Sequence, residues 1–140
     1  MTEQGINLIK QFESFSNVPY WDYKGFSIGY GHLIRQGDSF TSVTEDEGGE
    51  ILKKDLFTAE RAVLRLIKVP LADGQFDALC SFTFNLGSGA LQRSALRIKL
   101  NREEDKEDVA SEFLRWVRAG GRVRKGLMRR RQSEMELFLL

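Results

Sequence analysis

The sequence predicts an α+β fold, mostly helical, with one small sheet near its N-terminal end. Three observations predict it. Apolar residues recur at helical spacing through residues 3–15. Between about residues 18 and 43, aromatic and β-branched residues stand among glycines, the pattern of a short two- or three-stranded sheet with tight turns. From Thr44 onward the pattern is helical, broken by glycine, proline or runs of charge.

The first helix turns Ile9 and Phe12 toward a core and carries Glu13 near its end. The run Gly25-Phe26-Ser27-Ile28-Gly29-Tyr30-Gly31-His32 reads as part of a hairpin. Thr44 followed by Glu47 is a capping-box pattern, from which a helix runs to about Lys68 and stops before Pro70. Gly48 and Gly49 oppose its first turns by about 1 kcal/mol each relative to alanine. Asp73 caps a helix through Leu86, and Gly87 ends it in a left-handed turn. Ser94 starts a short helix to about Asn101, and a charged linker covers 102–106. A helix over roughly 107–118 is broken by Gly120-Gly121, and a last helix starts near 126.

Chemistry concentrates near the start. A glycosidic bond has a poor leaving group, and enzymes commonly break it with two carboxyl groups, one giving a proton while the other supports the attack of water. Glu13 and Asp22, with eight residues between them, are candidates for this pair. The spacing alone says little in a chain with 20 acidic residues, where a surface helix also accounts for Glu13 and a turn for Asp22. The surroundings add weight: a strand after Asp22 brings Ser27, whose hydroxyl can orient a water, to the same place.

These residues resemble the phage-type lysozymes, the muramidase family that includes the endolysins of tailed bacteriophages. The family pattern is a helix-borne Glu, then Asp, then Thr just before an Ile-Gly-Tyr-Gly-His-like strand. The resemblance continues in order through Gln75-Phe76-Asp77-Ala78-Leu79, Phe82-Thr83-Phe84-Asn85-Leu86-Gly87, Ser94-Ala95-Leu96, Leu100-Asn101, Phe113-Leu114-Arg115-Trp116-Val117, and Gly126-Leu127 to Arg130-Arg131 and Glu134. It implies one lysozyme-like domain over 1–140. A sheet lobe at about 13–45 and a helical lobe at about 1–12 and 70–140 would be joined by a helix at about 44–68, with the cleft between them.

The resemblance implies that Glu13, Asp22 and Ser27 are catalytic. Glu13 gives a proton to the leaving oxygen, Asp22 faces positive charge on the sugar, and water attacks. His32, Phe84, Asn85 and Ser94 match positions near the sugar. His32 also suits a strand-holding role, and Phe84 suits the core equally well. The substrate implied is bacterial peptidoglycan, cut between N-acetylmuramic acid and N-acetylglucosamine; the alternative is the same fold binding peptidoglycan with activity reduced or lost. One departure stands out: the family has five residues between Asp and Thr, whereas four separate Asp22 from Ser27. A deletion inside a paired strand turns Ser27 to the other face, whereas one absorbed around Tyr23-Lys24-Gly25 preserves its phase.

Composition narrows the classes. A chain of 140 residues suits one domain with a core of its own. The single cysteine, Cys80, has no internal disulfide partner and lies in an apolar run, as a buried core residue does. One Cys and one His do not make a zinc cluster of the usual composition, so no metal or other cofactor is expected. Charges break up the apolar pieces of the first 20 residues, and no run approaches a spanning helix. The expectation is a monomer accumulating in the cytoplasm of the producing bacterium. By resemblance, a holin then opens the way to the wall. Residues 111–140 carry eight basic and three acidic side chains, a segment suited to an anionic envelope surface. Specific nucleic-acid binding is not expected, since no recognition motif accompanies the charge.

Overall fold

The computed structural model describes residues 1–140 and bears out a mostly helical α+β fold. The chain forms two compact units, one of residues 1–8 with 58–140 and one of residues 9–57. No helix is long and apolar enough to cross a membrane.

The smaller unit opens with the end of α1 (Glu3–Glu13), where Ile9 is fully buried. Strands β1 (Ser16–Asp22), β2 (Gly25–Gly29) and β3 (His32–Leu33) form an antiparallel sheet in chain order. Tyr20 pairs with Ser27, Trp21 with Phe26 and Asp22 with Gly25, so only Tyr23 and Lys24 form the turn. Asp22 Oδ1 accepts the Lys24 N–H at 2.8 Å, an Asx-type brace for that turn.

Helix α2 (Glu45–Leu66) begins with the expected capping box. The Glu47 N–H donates to Thr44 Oγ1 at 3.1 Å, and the Thr44 N–H donates to Glu47 Oε1 at 2.9 Å. These bonds satisfy donors that a helix start leaves open. Gly48 has a packing reason to be in the helix: a Cβ there would stand 2.9 Å from the Phe15 ring and 3.6 Å from Gly29 Cα. Close approach of helix to sheet offsets the propensity cost.

The larger unit is built on α3 (Asp73–Leu86), α4 (Ser88–Arg93), α5 (Ala95–Asn101), α6 (Lys106–Ser111) and α7 (Lys125–Leu139). Its core gathers Val63, Leu79, Phe82, Leu91, Leu96, Phe113 and Phe138, and α3 packs along α7. Phe82 meets Phe113 and Trp116 edge-on, with centroids 5.7 and 5.6 Å apart. Cys80 is fully buried in this core, and burial pushes its thiol pKa strongly upward.

Three local expectations change here. Asp73 does not cap α3: it is the first helical residue after Ala72, whose N–H is taken by Gln75 Oε1 at 2.8 Å. In that place its charge still complements the helix dipole. The expected helix over 107–118 stops at Ser111, continues as a 3-10 turn over Glu112–Arg115, and gives way to β4 (Arg118–Ala119) and β5 (Arg122–Val123). Gly120 and Gly121, at φ 61° and 76°, form the two-residue turn of this hairpin. Strands of two residues carry no readable period. Helix α4 was also unforeseen, being short and lacking a side-chain cap.

Candidate functional site

Glu13, Asp22, Ser27 and His32 all belong to the unit of residues 9–57, and the sheet register explains how they meet. Side chains alternate across a strand, so Tyr20 and Asp22 share a face of β1, and Ser27, paired with Tyr20, lies on that face of β2. The Ser27 hydroxyl donates to Asp22 Oδ2 at 3.0 Å and is 2% exposed. The short spacer is thus taken up in the turn, and the phase of β2 keeps Ser27 beside Asp22.

Glu13 ends α1, and its carboxyl group lies over the turn after β2. A Cβ at Gly31, whose φ is +76°, would stand 2.9 Å from Glu13 Oε1. Gly31 therefore makes room for the carboxylate and also supplies a backbone shape that other residues rarely adopt. Glu13 is half-buried, as is Asp22.

Tyr20 shares a face of β1 with Asp22 and pairs with Ser27 across the sheet, a neighbour that the sequence reading did not single out. Burial, then the negative charges of Asp22 and Glu13, push its phenol pKa above the ordinary range, while the Ser27 hydroxyl pulls it partly back. The signal was available: two positions before Asp22 on a strand is the same face.

His32 is held on two sides. Its Nδ1 lies 2.8 Å from Asp55 Oδ2, and its ring meets Phe40 edge-on with centroids 5.7 Å apart. Asp55, on α2, is 23 positions away in sequence and carried no local signal.

Phe84, Asn85 and Ser94 belong to the other unit. Phe84 is half-buried and stands outside the buried core cluster. Asn85 is half-buried, and its Oδ1 accepts from Arg131 Nη2 at 2.6 Å. Ser94 is 1% exposed and caps α5: its hydroxyl donates to the Leu91 carbonyl at 2.7 Å and accepts the Arg97 N–H at 3.1 Å. That hydroxyl serves the helix start and is turned away from solvent.

The Glu13 carboxylate, borne on a helix, stands over a glycine turn beside a hairpin that carries Asp22 and its hydroxyl partner Ser27, within a mostly helical α+β fold of the lysozyme type. The chain belongs to the phage lysozyme family, whose model matches residues 10–134. It is 38% identical over 144 residues to the endolysin of Bacillus phage B103, covering 99% of this chain and 54% of that protein. It is 36% identical over 144 residues to the endolysin of Salmonella phage P22, covering 99% and 97%. The chain thus spans about half the length of the Bacillus phage endolysins it matches. Among solved structures, the muramidase domain of SpmX from Asticaccaulis excentricus superposes with a TM-score of 0.89 at 33% identity, covering 99% of this chain and 97% of that one. A P22 lysozyme mutant gives 0.88 at 34%, covering 100% and 98%.

Proposed function

We propose that this chain is a muramidase of the endolysin type. It hydrolyses the β-1,4 bond between N-acetylmuramic acid and N-acetylglucosamine in bacterial peptidoglycan, and so lyses the host cell. The observation that carries this reading is the Ser27 hydroxyl bonded to Asp22 Oδ2 at 3.0 Å, with the Glu13 carboxyl group set over the glycine turn that follows the same strand. The endolysin and muramidase members of the family support it.

In the reaction, the Glu13 carboxyl group gives its proton to the leaving glycosidic oxygen as that bond breaks. Water attacks the anomeric carbon, and Asp22 faces the positive charge that develops there. Ser27 spends its proton on Asp22, so its free lone pair accepts a hydrogen from the attacking water and aims it. The water's second proton leaves toward the Asp22 carboxylate. Phe84 and Asn85 contribute saccharide contacts, and His32 anchors the strand end. On this reading the protein acts as a monomer, is produced in the cytoplasm, and reaches the wall through a holin.

The test is Glu13→Gln, which keeps shape and removes the acidic proton. General acid catalysis is worth roughly 10²–10⁴ in rate, so lysis of permeabilised cells should fall at least about 100-fold while the fold survives. Fragments released by the unaltered protein should carry reducing muramic acid ends by mass spectrometry. Near-normal lysis by folded Glu13→Gln, or anhydro ends, would overturn the assignment. Wall binding without any released fragment would favour a binding module.

A further inference from the structure

Within the unit of residues 1–8 and 58–140, positive charge collects around the β4–β5 hairpin with little to balance it. From Phe113 to Ser133 the chain has eight arginines and lysines and no acidic residue. Arg130 and Arg131 are buried, and the other six are exposed. Arg115 pairs with Glu112 at 2.9 Å, whereas Arg118, Arg122, Arg124, Lys125 and Arg129 form no ion pair. The fold gains nothing from this charge. Helix α7 has no acidic residue in its first turn and opens with Lys125, and a cation there opposes the helix dipole.

The hairpin is braced from behind and free on both faces. Arg124 ties it to the start of α7, its N–H donating to the Val117 carbonyl at 2.8 Å and its Nε to the Ala119 carbonyl at 3.2 Å. All four strand residues are exposed, and Arg118 stands beside Val123 on one face. Apolar side chains are exposed among the cations: Val123 by 47% and Met128 by 49%. Both are aliphatic chains, and no aromatic ring joins them. Phe113 is buried, and Trp116 is half-buried with its ring edge-on to Phe82 and under Arg93. A nucleic-acid surface of this charge would offer rings to stack on bases, and a purely polar polyanion leaves the aliphatic chains without a partner. The interface of an anionic bilayer takes both, with phosphates for the cations and an acyl boundary for the apolar chains.

We propose that the β4–β5 hairpin and the first turns of α7 form a docking surface for an anionic lipid bilayer. Arg118, Arg122, Lys125 and Arg129 meet the headgroup phosphates, and Val123 and Met128 enter the acyl boundary.

Sedimentation of the whole protein with lipid vesicles is the test. The protein should pellet with mixed phosphatidylcholine–phosphatidylglycerol vesicles at low salt, stay in solution with pure phosphatidylcholine vesicles, and lose binding as salt rises. A basic residue at an anionic surface is worth about five-fold in partition, so changing Arg122, Lys125 and Arg129 together to Gln should weaken binding about 100-fold. Val123→Ser with Met128→Gln keeps every charge and should weaken vesicle binding about 10-fold, with soluble polyphosphate bound as before. These substitutions are exposed, so thermal melts and cleavage of soluble glycan should not change. The vesicle measurement needs no catalysis and stands apart from the muramidase reading. Failure of the unaltered protein to pellet with the anionic vesicles overturns the proposal. So does vesicle binding that Val123→Ser with Met128→Gln leaves intact, or tighter binding to duplex DNA than to the vesicles.

Discussion

Gly31→Ala should separate activity from stability, because one added methyl group meets the site in a way the structure specifies. At φ +76° the backbone lies in the region that costs an L-residue about 1–2 kcal/mol. In a chain of this size, each 1 kcal/mol lowers Tm by roughly 3–6 °C. The added Cβ would stand 2.9 Å from Glu13 Oε1, short of the 3.4–4 Å of ordinary contact. The carboxylate is the far end of a flexible side chain, so the clash is relieved by its retreat. The retreat displaces the proton donor by roughly 0.5–1 Å, and a misplacement of about 1 Å can cost around 10²-fold in rate. Gly37→Ala is the control: its φ is +96°, with nothing within 4 Å of the added Cβ. Turbidity loss of permeabilised cells, set beside thermal melts, should show kcat falling about 10- to 100-fold for Gly31→Ala and unchanged for Gly37→Ala, with comparable loss of Tm. Full lysis by a folded Gly31→Ala protein, or equal loss in the control, would refute the argument.

Other outcomes follow from the same geometry. Asp22→Ala should cost more lysis than Ser27→Ala, because a carboxylate facing positive charge does more than the hydroxyl that aims the water, and initial lysis rates of the two variants check the order. Thr44→Ala should lower stability by about 1 kcal/mol in urea unfolding, by removing the capping oxygen of α2. The hydrogen bonds from Thr44 hold the Glu47 carboxyl below its ordinary pKa, so its contribution is present above the unfolded value and lost as pH falls through the folded one; acid titration by NMR should show the depressed midpoint. Cys80 should resist a neutral-pH thiol reagent until the protein unfolds, since its thiol is buried and held in the protonated form; rapid labelling of the native protein would contradict this. Arg122, Lys125 and Arg129 are exposed, and changing all three to Gln should slow lysis of permeabilised cells at low salt and matter little at high salt. Arg124 is left out because its Nε donates to the Ala119 carbonyl at 3.2 Å and so braces the hairpin.

By itself, the sequence determined the elements whose signal is local. Apolar spacing defines α1 and α3, the Thr44-Glu47 box starts α2, and Ser94 starts α5, because caps and periods act within a few residues of chain. It also named Glu13, Asp22 and Ser27 as the group to watch. Tertiary structure decided what depends on partners distant in the chain. The register of β1 on β2 put Tyr20 opposite Ser27 on the face that carries Asp22, and the packing of α2 on the sheet explained a glycine that propensity alone counts as a defect. Asp55 reached His32 across 23 positions, and Arg131 reached Asn85 across 46. Such pairs leave no periodic trace, since they are selected by distance and burial in the folded chain, and spacing along the sequence carries neither.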